Sequence, residues 1–159
     1  MKKYLSLALA AFSFILTACI FLTMMGSAVD VTSTILNKTS SIASCYDLIS
    51  NGGALYIVAL ILLILSLVAI ALVIGVEVLR KDLSCKKYIY YLAAGLLVVT
   101  AVFFFLAVPC FNSLTEFKGV QLGSYVNPSL SAGAVLSAVF ALISAVVMGI
   151  TPFVEAKFN

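Results

Sequence analysis

The stretch SLSAGAVLSAVFALISAVVMGITPF, Ser129 to Phe153, decides how this chain folds. It carries no charged residue and is long enough to cross the ~30 Å hydrocarbon core of a bilayer as a helix. Small residues recur within it four apart, at Gly133, Ser137, Ala141, Ala145 and Gly149. At 3.6 residues per turn, that spacing keeps them on one slowly drifting face. Leu136, Val139, Phe140, Leu142, Ile143, Val146 and Val147 fall opposite, bulky and suited to lipid or to larger neighbours. Lipid tails are as apolar as Leu, so helices in a bilayer associate largely through close backbone approach along such grooves. The ladder is therefore read as a helix-packing face, in preference to the plain reading that Ala, Ser and Gly are common in membrane helices.

Working outward, three more uncharged stretches reach spanning length, making four helices at about 4–25, 54–76, 88–108 and 129–153. Of 159 residues, 64% are hydrophobic and 9% charged, against roughly 25% charged in soluble domains. An unpaired backbone group is costly in lipid, so each span is a helix. The fold class is all-α: a single-domain, four-helix transmembrane bundle with two outer loops and a short cytoplasmic turn. Basic residues set its orientation. Lys2, Lys3, Arg80, Lys81, Lys86, Lys87 and Lys157 fall on one side, and only Lys38 and Lys118 on the other. Both termini are thus expected inside. The net charge of +3 is anchor charge, with no basic patch that indicates nucleic acid.

The N-terminus admits two readings. Met1-Lys2-Lys3 and an apolar run ending Leu16-Thr17-Ala18-Cys19 resemble a bacterial lipoprotein signal, whose lipobox ends in a lipidated cysteine. The run continues through Ile20 to Met25, longer than a signal-peptide core, so an uncleaved first helix is preferred to processing at Cys19. In the first outer loop, Val29, Val31, Ile35 and Leu36 among Thr and Ser predict a short strand or extended edge. Ile42, Cys45, Leu48 and Ile49 recur at helical spacing, and Asn51-Gly52-Gly53 marks the turn into the second span. Asn37-Lys38-Thr39 fits a glycosylation sequon. Tyr88, Tyr90 and Tyr91 beside Lys86 and Lys87 form an interfacial belt, and Pro109 is expected to stop the third span.

Chemistry is sparse. No carboxylate, Lys or Arg lies inside a span, whereas ion-coupled transport normally needs one there. With no His and four isolated cysteines, neither a metal site nor a dithiol relay is read, and no cofactor is expected. Glu77 and Glu155 are expected to pair locally, with bases three and two residues on. Cys45 and Cys110 are the two cysteines expected outside. A disulfide between them would staple the outer loops, and two separate thiols is the slightly favoured alternative. Thr17, Thr100, Ser137 and Ser144 read as scattered, without the polar stripe that a pore requires.

By arrangement the chain resembles claudin-like tetraspan proteins. Shared features are cytoplasmic termini, a longer first outer loop, a short basic turn, a shorter second loop and glycines toward the last helix (Gly123, Gly133, Gly149). The resemblance spans the chain as topology and carries over no binding residue; the family's Gly-Leu-Trp motif has no counterpart here. The function expected is non-enzymatic: a scaffold, assembly or accessory subunit in the plasma membrane. Its partners would be the lipid bilayer and other membrane-protein helices or further copies of itself, with no nucleic acid. A subunit of a transporter or channel is the second reading, and a small membrane enzyme the third.

Overall fold

Four runs of Leu, Ile, Val, Ala and Phe become the long helices α1 (Leu5–Thr23), α3 (Ala54–Val78), α4 (Lys86–Phe105) and α6 (Ala132–Phe158). Two short helices, α2 (Cys45–Ser50) and α5 (Ala107–Asn112), stand at the ends of spans. The computed structural model describes residues 4–33, 38–79, 84–114, 116–117, 120–121 and 128–158. Lys2, Lys3, Ile35, Leu36, Asn37, Arg80, Lys81, Lys118 and Gly123 lie outside the described residues. All four long helices are long and apolar enough to cross a membrane, and the chain is a multi-pass membrane protein.

The buried positions explain how the helices meet. On α1 they are Ser6, Ala10, Ser13, Thr17 and Ile20, with Met24 just beyond its end, and on α3 Tyr56, Ala59, Leu63, Ser66, Ala69, Ile70 and Val73. On α4 the row is Tyr90, Ala93, Leu97, Thr100, Ala101 and Phe104. Apart from Ala69 and Ala101, steps of three and four alternate, the spacing that keeps one seam facing a neighbour in left-handed, coiled-coil-like packing. Helix α1 lies between α3 and α6, and α4 lies between the same two on the other side. The bundle is antiparallel. One end gathers the starts of α1 and α4 and the ends of α3 and α6; with Lys86, Lys87 and Lys157 it is here the basic end.

The opposite end carries a cap. Strand β1 (Ser27–Ser33) pairs antiparallel with β2 (Lys38–Ser44) and with β5 (Pro128–Leu130). The three-stranded sheet thus has the order β2-β1-β5 and takes strands from both outer loops. A two-residue pair, β3 (Glu116–Phe117) with β4 (Val120–Gln121), lies in the second loop. The expected strand around Val29 and Val31 and the short helix around Cys45 and Leu48 are both present. That β5 would join them was not legible, because three residues with Pro at their head carry almost no strand signal of their own.

Two span boundaries differ from expectation. The third span ends at Phe105, and Pro109 sits in the first turn of α5. Continuing α4 straight through Pro109 would drive the ring against the Phe105 carbonyl four residues back, so the chain breaks earlier, at Leu106. The last span runs to Phe158 with Pro152 inside it, while Ser129 and Leu130 belong to β5. Neighbouring helices and side-chain hydroxyls accommodate such a proline in a membrane helix.

Candidate functional site

The small-residue ladder of α6 is buried within the chain. Ser137 and Ala141 are fully buried and Ala145 nearly so, with α1 on one side of α6 and α4 on the other. At Gly133 an added Cβ would lie 2.5 Å from Gly26 C and 2.6 Å from Ser27 O, so only glycine permits that approach. At Gly149 it would meet Ala94 Cβ at 3.9 Å, an ordinary contact. The face that reads as a surface for other helices is occupied by this chain's own α1 and α4.

Hydroxyls run along the same seam. Ser13 and Ser144 bond each other, and Thr17 Oγ1 lies 2.9 Å from Ser144 Oγ. Nearer the cap, Thr23 Oγ1 is 2.8 Å from Ser137 Oγ. At the top, Ser27 bonds Ser131, and Ser131 Oγ donates to Asp30 Oδ2 at 2.8 Å. Thr17, Ser137 and Ser144, which read as scattered in one dimension, therefore fall on one α1–α6 line. Thr100 stands apart, donating to Leu96 O within its own helix at 2.7 Å. Interhelical hydroxyl bonds of this kind contribute about 0.6 kcal/mol each, up to ~1.7.

At the basic end, Lys86 Nζ donates to Glu77 Oε1 at 2.7 Å and to Glu155 Oε1 at 2.6 Å. Tyr90 OH donates to the same Glu77 oxygen at 2.9 Å. Side-chain exposures of 9% for Glu77, 15% for Lys86 and 30% for Glu155 place the group at the rim, partly out of water. Glu155 thus pairs with Lys86 and not with Lys157 as expected, while Arg80, the expected partner of Glu77, lies outside the described residues. Lys86, at the head of α4, serves both acids and ties the ends of α3 and α6 together. Local spacing could not reveal it, since the three groups come from three helices.

At the capped end, side chains of neighbouring helices satisfy the unpaired backbone groups of the helix termini. Tyr46 OH donates to Phe21 O at 2.9 Å, closing the end of α1. Tyr56 OH donates to Phe104 O at 2.8 Å, closing the end of α4, and its ring meets Phe104 edge-on at 5.8 Å. Gly53, the residue before α3, has no side chain to cap with. The Cys110 sulfur stands there instead, facing the Leu55 and Tyr56 N–H groups. A Cβ at Gly53 would lie 2.7 Å from that sulfur and 2.6 Å from Leu48 O.

Cys45 and Cys110 are both buried and both free thiols. The outer staple allowed by sequence is thus not formed in this structure. Cys45 hydrogen-bonds the Tyr56 side chain, whereas Cys110 faces the Tyr56 backbone. Burial pushes the Cys45 thiol up to about 12, with the Tyr56 hydrogen bond opposing it, and burial raises Cys110 as well. Both are therefore protonated and poorly nucleophilic at neutral pH. Cys19 is half-buried on α1, two residues beyond Thr17 of the seam. Among the described residues, no cluster of three or more Cys, Asp or Glu could hold a metal ion.

No family model, no curated protein and no solved structure matches this chain.

Proposed function

We propose that this chain is a non-enzymatic tetraspan of the plasma membrane that serves as a scaffold, assembly or accessory subunit, with a claudin-like arrangement. The observation that carries the reading is where its bonding groups are spent. The small-residue groove and the paired hydroxyls of α1 and α6 are used inside the chain. What it offers to others is the cap, whose outer strand β2 exposes Ser40 and Ser41, and the bulky helix faces suited to lipid. A small bundle whose seam hydroxyls pair within the chain, under a sheet built from both loops, is suited to holding a surface in place for a partner.

The test is purification in mild detergent with mass spectrometry of co-purifying membrane proteins, comparing wild type with Ser41→Arg on the cap and Leu72→Ala on a lipid-facing surface. The expected result is a defined partner set lost with Ser41→Arg and retained with Leu72→Ala, the thermal stability of the isolated protein being unchanged in both. An identical partner set for all three would overturn the assignment to the cap. Turnover of a lipid or thiol substrate by the purified chain would overturn the non-enzymatic reading.

A further inference from the structure

Lys86 and Lys87 are neighbours in sequence with different surroundings. Lys86 turns into the bundle, where it holds Glu77 and Glu155. Lys87 is exposed, as is Lys157 near the end of α6, and among the described residues neither has an ion-pair partner. Helices α4 and α6 pack antiparallel, and two contacts fix their register. The Tyr91 and Phe153 rings meet edge-on at 6.3 Å, and Gly149 lies against Ala94, where an added Cβ would be 3.9 Å from the Ala94 Cβ. Lys87 is four residues from Tyr91, and Lys157 four residues from Phe153, both toward the basic end. Positions four apart share a helix face, so the same register sets Lys87 opposite Lys157 across the α4–α6 groove.

Two cations set opposite each other repel, and the described carboxylates of this end, Glu77 and Glu155, are both engaged by Lys86. An anion between Lys87 and Lys157 would offset that repulsion. What lies beside the lysines decides what the anion belongs to. Phe153 is 66% exposed and Tyr91 43%, so the ring pair forms an apolar shelf on the outer surface of the bundle. It stands one turn, about 6 Å, nearer the bilayer centre than the lysines. Beyond it, Ala94 and Gly149 keep the groove shallow. A free inorganic anion would use the ammonium groups and leave the shelf idle. An acidic protein segment would have to enter hydrocarbon to reach it. A phospholipid carries a phosphate and an acyl chain joined at that spacing, and rings beside lysines stand at headgroup depth.

We propose that Lys87 and Lys157 bind the phosphate of one anionic phospholipid, whose acyl chain lies over Tyr91 and Phe153 along the α4–α6 groove. The lipid clamps the start of α4 to the end of α6 from outside, as Lys86 and Glu155 tie them from within. This stands apart from the scaffold reading, and either can fail without the other.

The experiment titrates the purified full chain in detergent with phosphatidylglycerol or phosphatidylcholine of the same acyl chains, and reads bound lipid by native mass spectrometry. Wild type is expected to bind one phosphatidylglycerol about 10-fold more tightly than phosphatidylcholine. K87Q/K157Q should bring the two lipids within about 2-fold of each other, and K157Q alone should leave about 3-fold, serving as the second variant should the double one fold poorly. R80Q/K81Q removes the same charge from the neighbouring turn and should keep the preference. Y91A/F153A should weaken both lipids and leave their ratio unchanged. Glycerol phosphate, a headgroup without chains, should not compete at ~100-fold excess. Equal affinity of wild type for the two lipids would overturn the site and leave the lysines as anchor charge. A preference retained in K87Q/K157Q, or lost equally in R80Q/K81Q, would overturn it by spreading the attraction over the whole basic end. Undiminished binding by Y91A/F153A, or competition by glycerol phosphate, would overturn it by making the ligand a free anion.

Discussion

Cys45 and Cys110 approach one tyrosine from opposite ends, the first at its side chain and the second at its backbone N–H. That geometry gives each thiol a separate structural task and holds both as thiols. With Cys85 exposed as an internal standard, brief iodoacetamide treatment of the folded protein at pH 7.5 is predicted to modify Cys85 and spare Cys45 and Cys110 until denaturant is added. A linked Cys45–Cys110 peptide in non-reducing maps would show a staple in place of two thiols. The sign of the pH effect follows from the upward shift. A raised thiol favours the folded cap below its unfolded value of about 9, and that contribution fades as pH climbs toward about 12. Lys86 is the other residue with a large predicted effect. Lys86→Met leaves Glu77 and Glu155 facing each other at a partly dry rim and should cost about 3–5 kcal/mol in denaturant unfolding. A loss under 1 kcal/mol would mean that water screens the group far more than its burial implies.

At the scale of elements, α6 organises the bundle by letting two neighbours come close. Gly133→Ala puts a methyl within 2.6 Å of the Ser27 carbonyl, and Gly133→Leu far more. Overpacking of this kind costs about 1–3 kcal/mol or more, because backbone must shift. Leu136 is 46% exposed on the other side of the helix, so Leu136→Ala is predicted to stay within ~0.5 kcal/mol. Unfolding midpoints in one detergent decide between these, and equal effects from the two positions would place the packing face wrongly. Spacing alone put the ladder on one side of the helix. What it packs against was not legible, since spacing describes a helix and is silent on its neighbours.

For the whole molecule, two questions concern how the bundle sits and what belongs to it. Single cysteines at positions 38 and 118, in a cysteine-free background, are predicted to label in intact cells with an impermeant maleimide, and those at 81 and 157 only after permeabilisation. Labelling at position 81 in intact cells would reverse the orientation. Helix α1 supplies Ser13, Thr17 and Thr23 to the α6 seam. Removing residues before Cys19 would leave Ser144 facing lipid without its partners. Intact-protein mass spectrometry is therefore predicted to find those residues in the mature chain. A product beginning at a diacylglyceryl Cys19 would mean that α6 finds other partners.

Sequence by itself determined the four long apolar helices and the longer segments that join them. These properties rest on composition and period, which lipid reads directly: about 20 apolar residues make a helix whatever surrounds them. It also determined the strand around Val29, the short helix at Cys45 and the turn at Gly52, whose φ of +85° suits a residue without Cβ. Only the tertiary structure decided the rest. Lys86 reaches acids from two other helices, Ser13 meets Ser144 across 131 positions, Cys110 caps a helix begun by Gly53, and β5 joins a sheet begun a hundred residues earlier. Each is a pairing between distant segments, set by which helices are neighbours in the ring. Residue periodicity fixes the face a helix presents. The neighbour that meets it is selected by the packing of all four helices together.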